Sequence, residues 1–167
     1  MLIRAAHTDD ADAVVALIER EIRDGVAHFG TQPPPREQIL SEIASPYPFV
    51  VADDGGFLGF ARASAWKSRG AYVWTAEVGV YVSHDRHRSG VGRALVEDLL
   101  DRMRVAGFRT VIAGIALPNP ASVGLFEKLG FHHAGTLPAV GFKHGAWRDV
   151  GYWTRDLGEG APGPAPI

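Results

Sequence analysis

A chain of 167 residues with 46% apolar and 22% charged side chains is sized for one domain with a real core, which excludes a disordered or collagen-like polymer. Its formal net charge of -2 gives no general attraction for nucleic acid or anionic lipid, so an anionic ligand has to be caught by a local arrangement. The absence of cysteine removes disulfides, thiolate nucleophiles and cysteine-based zinc sites together.

Met1 to Arg4 runs straight into a structured pattern without an apolar signal core, and no apolar run is long enough to span a bilayer, so a cytoplasmic protein is expected. Leu2 to Arg4 predicts a short strand, and Thr8 or Asp9 is placed to cap a helix carrying Val14, Val15, Leu17, Ile18 and Ile22. Gly25 and Gly30 bracket a turn-rich stretch, and Pro33 to Pro35 lead into a short helix through Ile39, Leu40 and Ile43 that could arch over a site. The period then changes. Phe49 to Ala52 and Phe57 to Ala61 read as antiparallel strands joined by the turn Asp53-Asp54-Gly55-Gly56. Trp74 to Val82 alternates as a third strand and ends in the basic loop Ser83 to Gly90.

The clearest helix follows, with Val91, Leu95, Leu99 and Met103 on one face and Gly107 at its end. Thr110 to Ala116 is short and almost wholly apolar, as a central strand should be, and Ala121 to Lys128 predicts another helix ended by Gly130. Phe131 to Phe142 and Ala146 to Arg155 are strands linked by a hairpin turn at Lys143-His144-Gly145. A domain over residues 1-157 is expected, followed by a disordered Gly/Pro/Ala segment at 158-167 with little apolar surface to offset ordering entropy.

The chemistry concentrates at Val80-Tyr81-Val82 and the following Arg88-Ser89-Gly90-Val91-Gly92-Arg93, a strand, a glycine turn and a helix start. Glycines let backbone approach a ligand, while the unpaired amides and positive dipole end of a helix N-terminus bind phosphate oxygens. Gly-x-Gly alone also fits an ordinary turn ahead of an exposed helix. A dinucleotide site needs a third glycine after a first parallel strand, and a triphosphate loop needs Gly-Lys-Ser/Thr; neither is present.

On this stretch the chain resembles the GNAT N-acetyltransferase superfamily, whose acetyl-CoA loop reads Gln/Arg-x-x-Gly-x-Gly/Ala between strand and helix. That pattern falls on His87-Arg88-Ser89-Gly90-Val91-Gly92, with His87 in place of the usual Gln or Arg. It is similar more narrowly to the phosphinothricin and methionine sulfone or sulfoximine N-acetyltransferases at Phe29-Gly30-Thr31-Gln32-Pro33, at Trp66 to Tyr72, at Glu77 with Val80 to Ser83, at Leu117-Pro118-Asn119 and along Phe142 to Gly151. Gln32 stands where those proteins usually have Glu.

The resemblance implies an α+β GNAT fold: a mixed, largely antiparallel sheet flanked by helices and splayed at the acetyl-CoA site. It also implies transfer of acetyl from acetyl-CoA to the α-amino group of a small amino-acid analogue, and a homodimer. An ammonium has no lone pair to attack with, so a base is required. Glu77 matches the family's strand glutamate and is the general-base candidate if partial burial raises its pKa; a surface glutamate on a half-exposed strand is the alternative. The backbone at Val80, Tyr81 and Val82 is expected to hold pantetheine and the acetyl carbonyl, and amides from Arg88 through Ser89, Gly90, Val91 and Gly92 to Arg93 the pyrophosphate. Asn119 either contacts the cofactor or caps the next helix.

Phe126 occupies the place where many members carry a tyrosine acid, so the coenzyme thiolate either leaves unassisted or takes its proton from water, the attacking amine, Tyr72 or Tyr81. Arg69 is the candidate fork for the acceptor carboxylate, with Phe29, Thr31 and Tyr72 as pocket walls. Lys143, His144 and Trp147 sit in a hairpin that is either structural or reaches a neighbouring subunit. His84 with His87 and the pair His132-His133 lack the carboxylate set of a metal site, so no metal is expected. The same scaffold also serves protein N-termini, polyamines and antibiotics, and a non-catalytic acetyl-CoA sensor is the reading from another class.

Overall fold

The computed structural model describes residues 1–158, so the segment expected to be disordered lies, from residue 159 on, outside the described residues. The chain opens with β1 (Leu2–Ala5), a 3-10 turn at Thr8–Asp10 and α1 (Ala11–Asp24). Thr8 and Asp9 lie inside that turn, and no side-chain cap closes α1. Tertiary pairing decides this end instead. Asp10 accepts two bonds from the Arg4 guanidinium at 2.8 Å each and one from the His7 N–H at 2.7 Å, while Arg4 also reaches Asp53 at 3.2 Å. α2 (Arg36–Ile43) follows the prolines, which set φ for a helix start and carry no N–H to leave unpaired.

β2 (Phe49–Asp53) and β3 (Phe57–Ala65) form the expected hairpin. β3 runs past Ala61 because Arg62 and Ser64 alternate with alanines, so the apolar run ends while the strand continues. β4 (Thr75–Val82), α3 (Val91–Val105), β5 (Thr110–Leu117), α4 (Pro120–Lys128), β6 (His132–Lys143) and β7 (Ala146–Asp156) complete the order. The β6–β7 turn uses two residues with positive φ, His144 at 50° and Gly145 at 73°, the backbone twist that a tight hairpin favours.

Among the described residues seven strands lie in the order β1-β2-β3-β4-β5-β7-β6, and of their pairings only the central β4–β5 is parallel. That pairing covers Thr75↔Thr110 to Val78↔Ala113 and stops. β4 stays with β3 as far as Gly59↔Val82, while β5 stays with β7 as far as Leu117↔Asp149, so the sheet divides between its two halves. The β3–β4 approach requires glycine: a Cβ on Gly59 would stand 2.4 Å from the Tyr81 carbonyl oxygen.

Two cores sandwich the sheet. On one face Val91, Leu95, Val96, Leu99, Leu100 and Met103 of α3 are buried against Ala76 and Val78 of β4, with Val80 and Val82 packed alongside. Each such leucine contributes roughly 1.5–3 kcal/mol by leaving water, more than helix propensity supplies. On the other face α1 and α2 bury Val14, Ile18 and Ile39 against Val51 and Phe60, with Tyr81 at the edge. Period-2 alternation thus sends Val80 and Val82 toward α3, and Glu77, Gly79 and Tyr81 to the opposite face.

Candidate functional site

Where β4 and β5 part, a cleft opens between Val78, Gly79 and Val80 on one side and Gly114, Ile115 and Ala116 on the other, with Asn119, Ser122 and Phe126 behind. The Ser83 N–H bonds to the Leu58 carbonyl of β3 at 2.9 Å. By strand alternation the backbone groups of Tyr81 also turn toward β3, and those of Val80 and Val82 turn toward the cleft, beyond the last β4–β5 pair. The Val82 carbonyl is taken by His87, whose Nε2 lies 3.0 Å away. This explains the histidine in the loop: its ring closes the strand end and meets the His84 ring in a T-shaped pair with centroids 4.9 Å apart, while His84 Nε2 sits 3.2 Å from Glu21 Oε1.

At the mouth of the cleft Arg88 has φ 62° and Gly90 φ 86°. The left-handed Gly90 turns the chain into α3, whose first intrahelical bond runs from the Ala94 N–H to the Gly90 carbonyl at 3.1 Å. The N–H groups of Val91, Gly92 and Arg93 therefore have no partner within the helix and point out of its positive end. Ser89 bonds back to Arg86, and the Arg93 side chain pairs with Glu97 at 2.9 Å, so these two contribute backbone rather than free side chains. Asn119 does cap α4: its Oδ1 accepts the Ser122 N–H at 3.1 Å. Its Nδ2 makes no bond within the described residues, and the residue still lines the cleft.

Glu77 is half-buried beside this cleft, on the face toward α1 and α2. Its side chain lies over Gly114 of β5: a Cβ there would stand 2.9 Å from Glu77 Oε1 and 3.2 Å from the Tyr152 ring. Burial raises the Glu77 pKa above the ordinary glutamate value, and the positive charge of Lys67 opposes that rise. Lys67 itself rests on the Trp66 ring, 4.7 Å from its centroid, and Trp66 meets Tyr152 edge-on at 5.5 Å. Tyr81 lies further along the same face against Phe60 and His28, at 5.3 and 5.5 Å, and burial pushes its phenol up to about 12.

Arg69 is exposed ahead of the 3-10 turn Gly70–Tyr72, and its side chain has no ion pair or hydrogen bond among the described residues. Tyr72 on that turn is 41% exposed. Thr31 is exposed, and Phe29 packs its ring directly on Gly141 of β6. Lys143 and His144 stay within the chain: Lys143 Nζ donates to the carbonyls of His28 and Glu21, and His144 Nε2 to Gly25 at 2.9 Å. Trp147 is 66% exposed. Phe126 is buried edge-on to Phe131 and has no proton to give. Sequence reading passed over Gly114, Ser122 and Tyr152. Gly114 carried a signal, since glycine inside a central apolar strand marks a close approach.

The chain belongs to the acetyltransferase (GNAT) family, whose model matches residues 14–131, and it is an acetyl-CoA-dependent N-acetyltransferase with the α+β fold of that family. It is 44% identical over 169 residues to a phosphinothricin N-acetyltransferase of Streptomyces viridochromogenes, covering 99% of this chain and 92% of that one. It is 37% identical over 113 residues to an L-methionine sulfoximine/L-methionine sulfone acetyltransferase of Pseudomonas aeruginosa, covering 66% of each. The solved structure of a phosphinothricin acetyltransferase from Sinorhizobium meliloti in complex with acetyl-CoA superposes with a TM-score of 0.92 at 34% identity, covering 98% of this chain and 92% of that one.

Proposed function

We propose that this enzyme acetylates the α-amino group of a small amino-acid analogue of the phosphinothricin, methionine sulfone or methionine sulfoximine type, with Glu77 as general base. The observation that carries the reading is the half-buried Glu77 carboxylate, raised in pKa and seated over Gly114 beside the divided strands. A base poised this way accepts a proton from the acceptor ammonium, directly or through one water, and frees its lone pair. Relatives named for phosphinothricin and methionine sulfone or sulfoximine support the acceptor class.

The residues of the cleft fit acetyl-CoA. Amides of Gly90, Val91, Gly92 and Arg93 at a helix N-terminus suit pyrophosphate, with Arg88 and Ser89 shaping the turn. The strand-edge groups of Val80 and the Val82 N–H suit an extended amide-bearing chain and the acetyl oxygen, Tyr81 forms the adjoining wall, and Asn119 Nδ2 supplies a further donor. When bound, acetyl-CoA supplies the activated thioester. Backbone donors held in a fixed strand need no reorganisation as charge develops on the oxygen they face. Tyr81 keeps its proton across the working pH range and is the phenol that lines the cleft.

On the acceptor side Arg69 takes the α-carboxylate, with Phe29, Thr31 and Tyr72 as walls; its guanidinium, without a partner among the described residues, supports this role. The protein works as a cytoplasmic homodimer, for which exposed Leu137, Val140, Phe142 and Trp147 on the β6–β7 hairpin supply an apolar surface, and sedimentation reads that state. The deciding experiment is thiol release from acetyl-CoA with phosphinothricin, methionine sulfone, methionine sulfoximine, ordinary amino acids, polyamines and a short peptide. Release with the first three alone is expected; release with peptide or polyamine moves the function elsewhere in the family. Glu77→Gln is expected to lower kcat by roughly 10²–10⁴-fold while acetyl-CoA still binds, and unchanged turnover removes Glu77 from the mechanism.

A further inference from the structure

Arg148 of β7 has no part in the chemistry described so far. It pairs in register with Gly141 of β6, the glycine on which the Phe29 ring lies. β7 is regular from Asp149 to Asp156 against β5, so Arg148, Val150 and Tyr152 project to one face. The Tyr152 ring and the Glu77 carboxylate both border Gly114, which puts Arg148, four positions away along the strand, on the same face as Glu77. The backbone separation is roughly 13 Å at about 3.3 Å per residue. An extended acidic amino acid and an arginine side chain bridge that distance together.

The charge of Arg148 is unspent. Its Nε is shut off from solvent without a hydrogen-bond partner, and no carboxylate lies within 4 Å of its guanidinium among the described residues. The neighbouring cation is already committed, since Lys143 bonds to the carbonyls of His28 and Glu21. The adjacent acid, Asp149, projects to the opposite face and accepts the Ala139 N–H at 2.8 Å. A desolvated guanidinium nitrogen left unpaired is unfavourable, and an anion that reaches it removes the penalty. Arginine's planar fork matches the paired oxygens of a phosphinate or carboxylate.

We propose that Arg148 binds an acidic group at the far end of the acceptor's side chain, so that the enzyme favours acceptors with an anionic tail over those with a neutral one. This rests on the small amino-acid acceptor reading above. Phosphinothricin, whose phosphinate is anionic, and methionine sulfone, whose sulfone is neutral, share the same α-amino acid end and separate the two roles.

The test measures steady-state turnover of both acceptors by the full chain and by Arg148→Leu and Arg148→Lys, at saturating acetyl-CoA. Wild type should prefer phosphinothricin. Arg148→Leu should raise KM for phosphinothricin roughly 10- to 100-fold, the loss expected for a charged hydrogen-bonded pair, with little change in kcat and none with methionine sulfone. Arg148→Lys should recover part of the loss. Equal losses on both acceptors would assign Arg148 to the shared end or to the framework and overturn the proposal, as would no change on either. Wild-type turnover of neither acceptor would instead overturn the acceptor reading on which the proposal depends.

Discussion

Replacing Gly114 by alanine should disable the enzyme without unfolding it. The new methyl carbon would stand 2.9 Å from Glu77 Oε1 and 3.2 Å from the Tyr152 ring, whereas ordinary contacts begin at 3.4 Å, so the carboxylate must retreat by about half an ångström. The atom that yields is the far end of a flexible side chain, and alanine in a strand regains roughly 0.5–1 kcal/mol of the entropy that glycine loses on folding. The melting temperature should therefore stay within a few degrees of wild type. Misplacing a reacting group by up to about 1 Å costs as much as 10²-fold, so kcat should fall about 10- to 100-fold while the KM for acetyl-CoA holds. In a Glu77→Gln background the same alanine should add little, because the displaced group is already inactive. Wild-type kcat in the single variant, or full additivity in the double, would refute the placement of Glu77 as the base.

Further outcomes are expected at α3 and at the start of α1. Gly90→Ala forces an L-residue to φ 86°, which should cost about 1–2 kcal/mol in a thermal melt and weaken acetyl-CoA in calorimetry by turning the α3 amides; Gly92→Ala, with 3.5 Å to Val82 and 3.6 Å to Leu125, should melt like wild type. The Arg4 guanidinium and the His7 N–H hold the Asp10 carboxyl below its ordinary pKa, so its contribution is present above the usual carboxylate range and lost as pH falls through the lowered value. Asp10→Asn should cost roughly 2 kcal/mol near neutrality, with the gap to wild type closing in denaturant titrations as pH falls through that lowered value.

Local pattern was enough for much of this protein. The 3.6-residue spacing of Val91, Leu95, Leu99 and Met103 marked α3, and strand periodicity with its turn residues marked the hairpins, because these signals lie within a few neighbouring positions. The glycine turn before α3 was legible for the same reason, and Glu77 became the proposed base through its match to a family position. Where sequence reading went astray, a distant partner had intervened. Asp10 rather than Thr8 or Asp9 ordered the start of α1 because Arg4 and Asp53 meet on adjacent strands, and β3 outran its apolar segment because β4 continued to pair with it. The division of the sheet depends on where β4 leaves β5, which neither strand's residues specify alone. The raised pKa of Glu77, its contact with Gly114 and the Arg148 Nε left without a hydrogen-bond partner among the described residues arise from strands that pack together only in the folded chain, where burial and close approach set each side chain's surroundings.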